Sequence, residues 1–563
     1  MTPSLPNGTA EDHPNRLILP CLACGLLLSL VLGWRTEGVC QDDDLTHFLM
    51  ARWAAWYPGY LLHIWGRPGA TVPTAAIAWL PNEAVAWHLA RVLSALMTAA
   101  GAWMAARLAA ALGLRRPWLV VLATYAQPLS AVLSYTTLTE NFAAFYLITA
   151  VFLLQRRRLS AASAVLSLAL VTRYETVVFI PVWLIALAGH RTPGKARLQA
   201  GLLCFWAPLA HNLLHRWWFG AWPASIYLRP TGSTEYLPAG WLAYIPDALH
   251  AITPALSCLA VLGALAMIRR RKLLIPALAV LFFATHLAIK AVGLYASGGY
   301  GRFMVTIAPL IAILAAAGLN ECIDHRRRDT AAARNWRVVA LVWLIALVAC
   351  EVERRSGRLP GFSPIWMGVA AGVACVIILL AACFGLRRSR SARQPWQTGL
   401  AAMIVLTWAA QWGLTVRPLE QSQDIRLIRE VVTWMEERGL SKSPFFSTNP
   451  WFAQSLGLVE NPRAHKDPEL LASMPVGTVF IWDSRYSTSD YHQLDPAQSY
   501  AADPHYRLLK RFARKEAGAL SLWVFQKVLE TPAPKVDRAF FPRPLTIGRE
   551  PVRGVYYLRE KAP

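Results

Sequence analysis

The stretch "LSAASAVLSLALVTRYETVVFIPVWLIALAG", Leu159 to Gly189, decides the class of fold. Two apolar runs, 159–173 and 175–189, flank Arg173 and Glu175. A helix that crosses a bilayer needs about 20 apolar residues, and both runs fall short of that. Short runs on either side of a charged turn put the turn below the bilayer surface, inside protein. Ionisable groups at that depth are expensive and are retained for function.

The rest of the chain carries the same signature. Of its 563 residues 55% are hydrophobic and 16% charged, against about 25% charged in an average soluble domain. Apolar runs predict spans at 17–34, 89–112, 117–134, 138–155, 159–173, 175–189, 198–215, 251–268, 273–293, 303–319, 337–350, 364–386 and 397–415, about thirteen in all. The run at 17–34 is read as a retained span, because no small-residue cleavage site follows it. The net charge of +23 does not indicate nucleic acid. Its basic residues come as short clusters between apolar runs, and no separate basic face or binding motif stands out. The nine cysteines are scattered, mostly within apolar runs, and suit packing. No local spacing supports a metal site.

The clusters give an orientation. Loops containing Arg115-Arg116, Arg156 to Arg158, Arg269 to Lys272, Arg326 to Arg328 and Arg387-Arg388 belong to a set with 22 basic residues, against 10 on the opposite side. The positive-inside rule then puts the amino terminus in the cytoplasm. The loop 35–88 and everything after about residue 416 fall outside. That loop holds Trp53, Trp56, Trp65, Trp79 and Trp87, and it is expected to form helices lying along the membrane surface. The expected domains are 1–416, a helical membrane domain including the loop, and 417–563, a small α/β domain on the non-cytoplasmic side. In the tail, "QDIRLIREVVTWMEERG" has helical spacing and stops at Gly439, while "PFFST", "TVFIWD" and "ALSLWVFQKV" read as strands.

Polar residues converge on the outer side of this topology. Asp42, Asp43 and Asp44 follow the first span in "QDDDLTHFLMARW", with His47 one turn on. Glu140 opens the fourth span, and Arg173 and Glu175 fill the turn already described. His211 and His215 share a helix face, as do His286 and Lys290. Arg302 opens the tenth span in "YASGGYGRFMVTIAP". The plain readings are that the aspartates complement a helix dipole, that Glu140 caps its helix, that Arg173 and Glu175 form a structural pair, that the histidines serve an interface, and that Lys290 snorkels.

Four of these stretches, "DDD" 42–44, "LTEN" 138–141, "TRYE" 172–175 and "GYGRFMVTIAPLIAILAAAG" 299–318, resemble the GT-C superfamily of membrane glycosyltransferases. That superfamily includes dolichyl-phosphate-mannose mannosyltransferases and the enzymes that add aminoarabinose to lipid A. The resemblance covers about residues 15–320 and differs in having three aspartates where the family has a pair. It implies inverting transfer of a mannose-like or other hexose or pentose unit. The donor is a polyprenyl-phosphate sugar, and the acceptor hydroxyl belongs to a glycan, lipid or protein at the outer face. By the same resemblance Asp43, or else Asp44, is the general base, and Arg302, Lys290 and Arg173 bind the donor phosphate. Glu140, Glu175, Asp42 and His47 bind or orient substrate. No cofactor or metal is expected. The expected location is a bacterial inner membrane with a periplasmic carboxyl terminus. The competing reading is a transporter or lipid flippase.

Overall fold

The computed structural model describes residues 16–223, 238, 241, 243–293, 300–324, 408–457, 471–488, 494–514 and 520–531. The expected spans 337–350 and 364–386, and most of 397–415, lie outside the described residues. The chain forms two compact units: 1–34, 91–210 and 229–417 make the first, and 35–90, 211–228 and 418–563 the second.

The first unit is helical. Among the described residues, four helical stretches are long and apolar enough to cross a membrane: Ile18–Arg35, Glu83–Ala111, Leu274–Val292 and Gly301–Glu321. A fifth candidate is a bent pair, Tyr244–Ile252 and Pro254–Arg269, with 93° between its halves. The apolar helices Glu140–Gln155 and Leu159–Thr172, and the stretch Tyr174–Ala188, are shorter. The chain is therefore an integral membrane protein of polytopic helical type.

Several expected spans are broken. The run 117–134 splits into helices Trp118–Tyr125 and Pro128–Leu133. Gln127, as the residue before a proline, takes an extended conformation. The run 198–215 splits into helices Gly194–Leu203 and Trp206–Phe219. The 93° bend turns on Thr253, whose φ of 81° is rare for a β-branched residue. Thr253 is fully buried, and its hydroxyl accepts from the Leu256 amide while Pro254 starts the next helix. Beyond the bend, Gly263 and Gly318 let Pro254–Arg269 and Ala308–Asp324 touch backbone to backbone. A side chain at either glycine would collide with a carbonyl of the opposite helix.

The second unit joins the segment 35–90 to the tail through one apolar core. Leu45, Phe48, Trp53 and Tyr60 pack in the same cluster as Ile428, Trp451, Phe452 and Val479. Backbone amides of Glu37 and Gly38 donate to the Leu419 carbonyl at 3.0 and 2.8 Å. Trp87 stacks on Phe48 and meets Trp451 edge-on, so it belongs to this core. The tail carries a four-stranded mixed sheet of order β1-β2-β4-β3: β1 Phe445–Ser447, β2 Val479–Asp483, β3 Tyr506–Ala513 and β4 Ser521–Lys527. β1 and β2 are parallel, and the other pairings are antiparallel. The helix Gln423–Glu437 starts at Ser422, whose hydroxyl accepts from the Ile425 amide. It stops before Gly439, which is in the left-handed conformation.

Candidate functional site

Glu140, Arg173, Glu175 and Arg302 come together within the first unit, and all four sit where a helix begins or breaks. Glu140 is the first residue of helix Glu140–Gln155. Arg173 follows the last residue of Leu159–Thr172, and Glu175 lies in the 3-10 turn Tyr174–Val178. Arg302 lies in the 3-10 turn Gly301–Ile307 that leads into Ala308–Asp324. Such breaks within an apolar helical body are tolerated only where protein surrounds them. Gly301 is required for this approach, because any β-carbon there would run into the Asp247 backbone.

The four side chains form one buried ionic knot. Arg173 donates through Nε to Glu175 Oε1 at 2.7 Å and through a terminal nitrogen to Glu140 Oε1 at 3.1 Å. Arg302 Nε approaches the same Glu140 oxygen at the longer distance of 3.5 Å. None of the four is more than 7% exposed, so water does not screen them. Phe303 lies 3.9 Å beneath the Arg173 guanidinium and 5.4 Å from that of Arg302. Tyr300 adds a second ring near Arg302. Two cations and two carboxylates balance, which is the arrangement a buried charge set needs to be stable.

Lys290 stands in a different pair. Its ammonium is 3.4 Å from the Asp247 carboxylate, and both side chains are partly exposed. Asp247 lies ahead of the expected span at 251 and outside the stretches that the sequence singled out. His286 lies one turn from Lys290 and is buried, ringed by Tyr244, Phe282 and Phe303. His286 thus reaches the knot through Phe303, the ring that also carries Arg173.

The aspartates belong to the second unit. Asp42, Asp43 and Asp44 make the whole first turn of the helix Asp42–Trp53, where the helix dipole favours negative charge. Their surroundings separate them. Asp42 is held by two donors from the tail: Trp451 Nε1 at 3.1 Å to one carboxylate oxygen, and the Tyr486 hydroxyl to the other. Burial, and then the Asp42 charge, push the Tyr486 phenol well above its ordinary value, so it stays a donor. Asp44 is fully buried, and its carboxylate is 3.4 Å from the Cys40 amide. Asp43 remains half-buried. His47 is buried on the same helix. Tyr486 owes its position to Asp483 at the end of β2, which accepts from the Arg485 and Tyr486 amides at 2.7 and 2.8 Å.

His211 and His215 are bonded to backbone carbonyls of Leu62 and Ala221 at 2.8 and 2.7 Å, as interface histidines are. Among the described residues no group of three or more His, Cys, Asp or Glu is placed to hold a metal ion.

No protein-family model matches the chain, and no curated protein matches it in sequence. Solved structures do match. ArnT from Cupriavidus metallidurans bound to undecaprenyl phosphate superposes with a TM-score of 0.55 over 90% of this chain and 97% of that one, at 14% identity. The same protein in the apo state gives 0.54 over 91% and 98%, also at 14% identity. The resemblance to the GT-C glycosyltransferases read from four short motifs therefore holds at the level of fold: over nearly its whole length the chain has the fold of ArnT.

Proposed function

We propose that this protein is an inverting membrane glycosyltransferase that moves a sugar from a polyprenyl-phosphate donor to an acceptor hydroxyl. The observation that carries the reading is the buried Glu140–Arg173–Glu175–Arg302 knot, set in the fold of a protein whose crystal structure contains undecaprenyl phosphate. When the anomeric bond breaks, the departing lipid phosphate gains charge. Cations fixed in a water-poor site stabilise that charge without reorganising. Arg302 is the first candidate, because its contact with Glu140 is the longer one and its planar fork suits phosphate oxygens. Arg173 is engaged by two carboxylates and holds the knot together. Lys290 can add a point charge if Asp247 releases it. Glu140 and Glu175 orient the arginines.

The acceptor hydroxyl needs a base. Asp43 is the first choice and Asp44 the second. Asp42, committed to Trp451 and Tyr486, serves to orient, with His47 behind it on the same helix. Inversion requires one displacement, in which the acceptor oxygen forms the new bond as the bond to phosphate oxygen breaks and the base takes the acceptor proton. The arginines carry the charge that a metal would otherwise neutralise, so the reading includes neither metal nor cofactor. It also includes an amino-terminal cytoplasmic side, a bacterial inner membrane, and a tail from residue 417 that faces the periplasm and shares its core with the segment 35–90.

A donor screen on purified protein tests this. Polyprenyl-phosphate sugars carrying different hexoses and pentoses are offered with a crude envelope acceptor fraction, and mass spectrometry follows both products. The expected result is an acceptor heavier by one sugar, with free polyprenyl phosphate in equal amount. Lipid movement across a vesicle without sugar transfer supports a flippase instead.

A further inference from the structure

The opposite set of helix ends contains a feature that the transfer reaction does not use. The helices Glu83–Ala111, Pro254–Arg269 and Ala308–Asp324 end around a cavity of about 280 Å³. Its polar lining comes from three separate stretches of chain: Arg115, then Arg270 and Lys272, then Asn320 and Glu321. Three cations face one carboxylate, so the lining carries a surplus of positive charge. The parts are tied in place. Lys272 donates to the Leu112 carbonyl, Arg270 pairs with Glu321, and Arg116 donates to Asn320 Oδ1 at 2.9 Å. Burial, and then the neighbouring Arg270, push the Lys272 ammonium below its ordinary value. With three cations against one carboxylate in the lining, an anion among them would offset the surplus charge.

Cations at helix carboxyl ends also complement helix dipoles, and that alone explains one or two of them. It does not explain a cavity between three helix ends with arginine and lysine on its walls. Basic pockets between membrane helices suit anionic headgroups. We propose that this cavity is a binding site for a phosphate-bearing anion, either the phosphodiester headgroup of an anionic lipid or free phosphate. The site is independent of the transfer reaction.

The test uses the purified full chain in a neutral detergent and native mass spectrometry. Phosphatidylglycerol and phosphatidylcholine of the same acyl chains are titrated separately, with and without inorganic phosphate. The control is Arg156→Gln/Arg158→Gln, an equal charge change at another basic helix end. Phosphatidylglycerol should bind at least about tenfold more tightly, a difference near 1.4 kcal/mol. Arg115→Gln/Arg270→Gln should abolish the preference and the control should keep it. Arg115→Gln alone, at an exposed position, should weaken it in part. Displacement by millimolar phosphate assigns the site to phosphate itself, and resistance assigns it to the lipid. Equal binding of the two lipids without any phosphate binding, a preference that survives the double variant, or one lost equally in the control overturns the proposal.

Discussion

The ionic knot and the aspartate turn solve the same problem, holding charge in a poorly hydrated place, by opposite means. In the helical unit, Glu140, Arg173, Glu175 and Arg302 neutralise one another. In the second unit, three like charges share one helical turn, and neutral donors hold the first of them. A self-neutralised set is stable but inert until something disturbs its balance, such as an arriving phosphate. A run of carboxylates on one turn offers acceptors for a proton. The knot therefore suits leaving-group binding, and the turn suits proton removal.

Breaking the turn should have the largest effect. Asp43→Asn, or failing that Asp44→Asn, should slow transfer by about 10² to 10⁴, the usual worth of a general base. The readout is single-turnover sugar transfer at saturating donor. Full activity in both variants contradicts the base assignment. The knot comes next, and its two arginines should separate. Arg302→Ala should cost about 10² to 10³ in rate with membrane insertion and melting preserved, because Glu140 keeps Arg173. Arg173→Ala leaves two buried carboxylates and should destabilise the fold by about 3 to 5 kcal/mol. Equal stability of the two variants would merge the roles assigned to them.

Smaller effects sharpen the contrast. Tyr486→Phe removes one donor to Asp42 and should lower kcat by about tenfold, the lower end of what one charge-assisted hydrogen bond is worth. In Asp42→Asn the same substitution should do nothing further. The smallest effect concerns His63 in the second unit. Burial, then the charges of His215 and His211, lower its pKa to about 4. A histidine held neutral in the fold takes up its proton more readily when unfolded. Its stabilising contribution is complete above pH 6.5 and is lost as the pH falls from there toward 4. Thermal melting of His63→Gln should be flatter across that window than melting of the native chain.

Much of this was legible in the sequence because the chemistry sits in short local patterns. A charged pair between two short apolar runs located Arg173 and Glu175, and "LTEN" and "GYGRF" located Glu140 and Arg302 before any contact was known. The helix Gln423–Glu437 and strands β1, β2 and β4 also followed from periodicity and punctuation. What hydropathy alone did not yield were the breaks. The run 117–134 looks continuous, although Pro128 was a visible sign of interruption, and the bend at Thr253 carries only Pro254 as its mark. β3 was hidden because "YRLLKRFA" puts charges on an edge strand, where alternation is weak. The Asp42 contacts were out of reach for another reason. Trp451 and Tyr486 are 409 and 444 residues away, and no local pattern encodes such a pairing. The same holds for the Trp residues of 35–88. A headgroup belt and a protein core ask for the same residue type, and only the packing of Trp53 and Trp87 beside the tail assigns those two to a core.

The central claim is that the buried arginines recognise a lipid-linked phosphate. Titration of the purified protein with undecaprenyl phosphate, followed by native mass spectrometry, tests it directly. The native chain should bind the phosphate and ignore the neutral alcohol undecaprenol, and Arg302→Ala should bind at least about tenfold more weakly. Equal binding of phosphate and alcohol, or undiminished binding by Arg302→Ala, would contradict it.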